Sequence, residues 1–166
     1  MKLLTLLLIL SFLSSWQLHG KDELPYGKLV WSNFRGKPDY SRSDIAAYTE
    51  WQWDYSCEDN NGAYTFSVKA FILPSQSWTK TSSAYILKHE QGHADIAEIY
   101  ARQLDKAFKA IDGCRDCKAA ADSMYEITYR AACQEQADYD SATDRSINRE
   151  QQAEWSKKIN LLLRKN

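Results

Sequence analysis

The chain reads as an α+β domain with strands first and helices after. From Trp51 to Tyr55 and again over residues 63–73, apolar and polar side chains alternate with a period of two. From residue 84 onward the apolar positions recur near helical spacing, and no proline follows Pro74 to interrupt them. Together these predict an N-terminal antiparallel sheet followed by a helical part.

The elements are predicted in turn. Leu29-Val30-Trp31 is a short apolar run ahead of Asn33-Phe34-Arg35-Gly36-Lys37-Pro38, which suits a strand entering a turn. Residues 45–57 carry Tyr48, Trp51, Trp53 and Tyr55, alternating with polar residues from Trp51 on, as in a half-buried strand. Glu58-Asp59-Asn60-Asn61-Gly62 is a turn cluster, and Asn61-Gly62 is a strong hairpin signal. Residues 63–73 set Tyr64, Phe66, Val68 and Ala70 against Thr65, Ser67 and Lys69, and Pro74 ends that strand. Trp51, Trp53, Tyr64 and Phe66 are read as sheet core or sheet surface. Ser82 or Ser83 can cap a first helix, with Ile86, Ala97, Tyr100, Leu104, Phe108 and Ile111 on its apolar positions and Asp112-Gly113 at its close. A second helix is expected over about 118–138, then a polar turn over 140–148, then a last helix over about 149–163.

Residues 1–20 are expected to be a signal peptide: Lys2 precedes an apolar run, Leu3 to Leu13, that is too short to cross a bilayer. That leaves one domain over 21–166, secreted or periplasmic, with no membrane span in the mature chain. The formal charge of -1 becomes -2 once Lys2 is removed. A near balance of charge argues against nucleic acid as partner. The four cysteines, Cys57, Cys114, Cys117 and Cys133, allow up to two disulfide bonds in an oxidising compartment, in three connectivities. Cys114-x-x-Cys117 also has redox spacing, but no βαβ pattern surrounds it, and a zinc ribbon would need a second such pair.

Residues 89–93 read His-Glu-Gln-Gly-His, an HExxH pattern inside the first predicted helix. Residues four apart share a helical face, so His89 and His93 can turn their imidazoles to one ion. Zinc accepts neutral imidazole nitrogen. Glu90 can then take the proton of a zinc-bound water, whose hydroxide attacks a carbonyl, and pass that proton to the leaving nitrogen. The pattern uses both histidines of the mature chain, since the third is His19. A catalytic zinc takes three protein ligands, so the third must be a carboxylate unless a cysteine is free. Asp95 and Glu98 point away on the same helix, which directs attention downstream to Glu126, Glu135, Asp138, Asp140 and Asp144.

These residues resemble a bacterial family of uncharacterised domains described as predicted secreted zinc-dependent proteases. The resemblance runs from Leu29 to Pro38, through Leu73-Pro74 and Trp78, and through His89–His93 followed by Asp95-Ile96-Ala97-Glu98. It ends at Tyr139-Asp140-Ser141-Ala142-Thr143 and Gln152-Ala153-Glu154-Trp155. The resemblance implies a zincin-like zinc metallopeptidase, a hydrolase acting on a peptide or protein substrate, and favours Asp140 as third ligand. The family pattern is Tyr-Asp-x-x-Thr-x-His, and this chain has Arg145 at its last position. Arg145, as a cation, and Tyr139, as a hydroxyl donor, are candidates to stabilise an oxyanion. The alternative implied by Arg145 is a catalytically inactive, zincin-like binding module of the cell envelope.

Overall fold

A computed structural model describes residues 22–111, 113 and 117–165. The expected signal peptide, Asp112 and Cys114 lie outside the described residues. The order is strand β1 (Leu24–Pro25), a 3-10 turn (Trp31–Asn33), strands β2 (Ala47–Tyr48), β3 (Trp51–Asn60), β4 (Ala63–Ile72) and β5 (Trp78–Thr79), then helices α1 (Ala84–Lys109), α2 (Lys118–Thr143) and α3 (Arg149–Lys165). Strands β1, β4 and β3 form one antiparallel sheet, and β2 pairs antiparallel with β5 in a second. The fold is thus α+β, with the sheets N-terminal and three helices following.

The β3–β4 hairpin follows its turn chemistry. Asn60 pairs with Ala63, so Asn61 and Gly62 are the two-residue loop. Both have positive φ, 58° and 84°, as a type I′ turn requires. Alternation then places Phe66, Val68, Ala70 and Ile72 on the buried face, with Trp53 opposite Ala70 on β3. Glu58, Asp59 and Asn60, expected in the turn, extend β3 instead, because the two loop residues alone reverse the chain.

Residues 29–31 depart from the expected strand. The Asn33 side chain accepts from the Val30 N–H at 2.8 Å, and the Asn33 N–H donates to the Val30 carbonyl at 2.9 Å. That local cap closes a 3-10 turn in place of a ladder. Leu29 is buried, and its N–H is taken by the Gln91 side chain of α1 at 2.7 Å.

Helix α1 is the central element. It begins after the Ser83 cap, whose hydroxyl accepts from the Ile86 N–H. One side meets Trp53, Phe66, Val68 and Ala70 of the sheet through Ala101, Leu104 and Phe108. Another meets α2 and α3 through Ile96, Ile99, Tyr139 and Ile159. A third cluster joins Ala94 to Leu29, Phe34 and Ile72. Small residues at 94, 97 and 101 let the neighbours approach closely, and the Trp53 indole donates to the Ala97 carbonyl at 2.9 Å. Helix α2 runs five residues beyond the expected end, so Asp140 lies on the helix and not in the turn after it. Cys117 is disulfide-bonded, while Cys57 and Cys133 are free, exposed thiols. Among the described residues no helix is long and apolar enough to cross a membrane.

Candidate metal centre

Helices α1 and α2 run antiparallel and each presents an i, i+4 pair to the other. His89 and His93 come from α1; Gln136 and Asp140 come from α2. His89 Nε2 and His93 Nε2 lie 3.2 Å apart. Asp140 Oδ1 is 3.1 Å from the first and 3.0 Å from the second. The three candidate ligand atoms all lie within 4.8 Å of one another. Among the described residues the other carboxylates considered downstream are engaged elsewhere. Glu126 pairs with Arg130 and Glu135 with Lys158. Asp138 accepts from Gln134, and Asp144 is the left-handed cap of α2. Asp95 and Glu98 turn away as expected: Asp95 accepts from Tyr26 and Gln91, and Glu98 pairs with Arg102.

Two glutamines fix the imidazoles. Gln152 on α3 donates its Nε2–H to the Tyr139 hydroxyl at 2.5 Å, which leaves Oε1 to accept from His89 Nδ1 at 2.7 Å. Gln136 donates Nε2–H to the His93 carbonyl at 2.9 Å, which leaves Oε1 to accept from His93 Nδ1 at 2.5 Å. Each amide nitrogen is thus committed, so each amide oxygen must face a ring N–H. Both histidines therefore carry hydrogen on Nδ1 and turn Nε2 toward Asp140.

Tyr139 forms the wall behind this pair. It is fully buried, stacks on the His89 ring at 4.7 Å between centroids, and donates its hydroxyl to the His89 carbonyl at 3.2 Å. Burial pushes its phenol well above the ordinary tyrosine value, with the charge of Glu90 adding to the rise. The hydroxyl expected as an oxyanion donor is buried, donating to the His89 carbonyl and accepting from Gln152. The same packing explains Gly92, since a Cβ there would lie 2.7 Å from Tyr139 Cζ.

A cleft of about 190 Å³ opens over the triangle, lined by His89, Glu90, His93, Asp140, Tyr48, Thr49, Trp51, Arg42 and Arg145 among others. Glu90 is only 3% exposed, and its Oε2 accepts from the Thr49 hydroxyl at 2.6 Å. Trp51, expected to belong to the sheet, is also a wall of the cleft. Arg145 reaches the cleft from three consecutive left-handed residues, Asp144, Arg145 and Ser146, and pairs with Asp44 at 2.8 Å. Burial opposes charge on His93, but the hydrogen bond and charge of Asp140, then the charge of Glu90, push its value up to about 9. Burial likewise opposes charge on Asp140, and the hydrogen bonds from His89 and His93 hold its carboxyl far below the usual range.

Thr49, Gln136 and Gln152 were not picked out by sequence reasoning for any role at the site. Gln136 stands one helical turn before Asp140, and that spacing is the only signal that could have marked it. Gln152 belongs to the segment of the resemblance around Trp155, which gave it no role. Thr49 follows β2 with no motif of its own.

The family model described as "Bacterial protein of unknown function (DUF922)" matches residues 31–146. The chain belongs to that family. The matched span contains His89, Glu90, His93 and Asp140 and stops before Gln152. No curated protein and no solved structure matches the chain.

Proposed function

We propose that the chain is a zincin-like metallopeptidase working outside the cytoplasm, with His89, His93 and Asp140 as zinc ligands and Glu90 as general base. One observation carries the reading. With both Nδ1–H groups donating to glutamine oxygens, the two Nε2 atoms and Asp140 Oδ1 converge at 3.0 to 3.2 Å, on a point that the His93 proton occupies in the metal-free chain and a metal ion can take in its place. Such a group is unfavourable without a positive charge among its members. Zinc suits the donor set, two neutral imidazoles and a carboxylate. Four-coordinate zinc with bonds of about 2.0–2.1 Å has ligand-to-ligand edges of about 3.3 Å, close to those of the triangle. The glutamines behind the imidazoles are the outer partners that ligand histidines require.

When bound there, zinc would supply a Lewis acid that polarises a carbonyl and lowers the pKa of water. The chain's own groups do the rest. Glu90 Oε1 is left to take a proton from water in the cleft, because Oε2 is held by Thr49. The same carboxyl can return that proton to the leaving nitrogen. Gln152 and Gln136 keep the Nδ1–H tautomers, and the Tyr139 ring keeps His89 from turning.

A second reading, a binding module without catalysis, is favoured by Arg145, which stands where the family pattern has histidine and is tied to Asp44. Glu90→Gln separates the two. A peptidase loses cleavage of a quenched peptide library by about a hundredfold or more while its zinc content is unchanged. Cleavage unaltered by Glu90→Gln, or absent from the zinc-loaded native protein, would remove the catalytic reading.

A further inference from the structure

Two guanidinium groups stand at the mouth of the cleft. Arg145 lines it and carries one carboxylate, that of Asp44, at 2.8 Å, with both side chains about half exposed. Arg42 lines it as well, resting over the Tyr48 ring at 5.3 Å, and among the described residues it makes no ion pair. The same cleft is lined by the acids Glu90, which is buried, and Asp140, which is partly exposed.

The backbone holds Arg145 in place. Asp144, Arg145 and Ser146 have φ of 46°, 47° and 78°, a conformation costly for residues with side chains. It is secured by the Arg145 N–H on the Asp140 carbonyl at 2.9 Å and the Asn148 N–H on the Thr143 carbonyl at 2.8 Å. The left-handed run therefore ties Arg145 to the turn of helix that carries Asp140. Strain of this kind persists where a side chain must be aimed. The bond to Asp44 demonstrates that a carboxylate can reach the guanidinium at full hydrogen-bond contact.

We infer that Arg42 and Arg145 form a carboxylate-binding site at the mouth of the cleft, and that the peptide taken there carries an anionic group beside the bond lying over His89, His93 and Asp140. This rests on the reading of the cleft as a peptide site. The carboxylate is an acidic side chain or a free C-terminus; either presents the same planar pair of oxygens to a guanidinium. Asp44 is the internal competitor, released from Arg145 when the peptide binds.

The test is binding of labelled peptides to the full mature chain carrying Glu90→Gln, followed by anisotropy, with zinc and again after chelator treatment. The peptides differ only in Glu against Gln at one position and in a free against an amidated C-terminus. Acidic peptides are expected to bind about tenfold tighter than their amides, with or without zinc, and the preference should shrink as salt rises. Arg145→Gln and Arg42→Gln should each cut it severalfold, while Asp44→Asn should enlarge it. Loss of the preference on amidating the C-terminus assigns the terminal carboxylate; its survival there and loss with Gln assigns the side chain. Equal binding of acid and amide, or a preference untouched by both arginine variants, would overturn the inference. Cleavage of the same peptides by the native zinc-loaded chain is measured alongside: native cleavage with no acidic preference in binding sinks this inference and spares the peptidase reading, whereas acidic preference with no native cleavage does the reverse.

Discussion

At the scale of single residues, His93 and Gly92 make the account quantitative. Asp140 raises His93 to about 9, above the ordinary histidine value of about 6.5. After metal removal, the protonated ring stabilises the fold fully below about pH 6.5, and that contribution fades as pH rises through about 9. Proton and metal want the same Nε2, so zinc affinity should climb with pH across that window and level off above it. Chelator-competition titrations at stepped pH check this; a flat profile would contradict it. The depressed carboxyl of Asp140 stays ionised throughout, so acid should not release it until well below the usual carboxylate range. Gly92→Ala sets two effects against each other. Alanine gains about 1 kcal/mol of helix propensity, but its Cβ meets the fully buried Tyr139 ring. Overpacking of about 1–3 kcal/mol should win, lowering the thermal midpoint and loosening the His89 stack. A variant as stable as the native chain would show that the ring can yield.

At the scale of elements, the site is the meeting of two helical faces under a third helix. Helix α1 brings the HExxH residues, α2 brings Gln136 and Asp140, and α3 brings only Gln152 to the imidazoles. Gln136 is partly exposed and lies at the rim of the cleft, so Gln136→Ala should fold normally. It should nevertheless lose about 10- to 100-fold in zinc affinity, because the His93 tautomer is no longer held. Calorimetry on the stripped protein reads this, and an unchanged affinity with unchanged stability would deny Gln136 that role. The strands contribute Tyr48 and Trp51 to the cleft wall, and Thr49, in the link between β2 and β3, holds Glu90. The one element whose type differs, the 3-10 turn at Trp31, differs because an asparagine three residues on could satisfy the backbone locally. Apolar character alone does not distinguish that from a strand.

At the scale of the whole molecule, periodicity marks the α+β order but not β1, β5 or the separate β2–β5 pair, whose two-residue strands are too short to show a period. The period of two marked the β3–β4 hairpin, Asn61-Gly62 marked its turn, and the helical spacing with no proline marked the three helices. The HExxH spacing put His89, Glu90 and His93 on one element. Asp140 came from the resemblance, and the residues alone left five carboxylates open, because a ligand from another helix is set by interhelical register. Gln136, Gln152 and Thr49 were invisible for the same reason: polar side chains carry no period, and their partners lie 41 to 63 residues away. The polar run from Asp140 predicts a turn, whereas Tyr139 and Thr143, both fully buried, keep α2 helical to Thr143. The claim on which the rest stands is that His89, His93 and Asp140 hold one ion together. Zinc titration of chelator-stripped native chain and of Asp140→Ala tests it most directly. One zinc per native chain is expected, with affinity at least about a hundredfold weaker in the variant, since loss of an outer partner alone costs 10- to 100-fold. A native chain that takes up no zinc, or a variant that binds it equally well, would contradict the account.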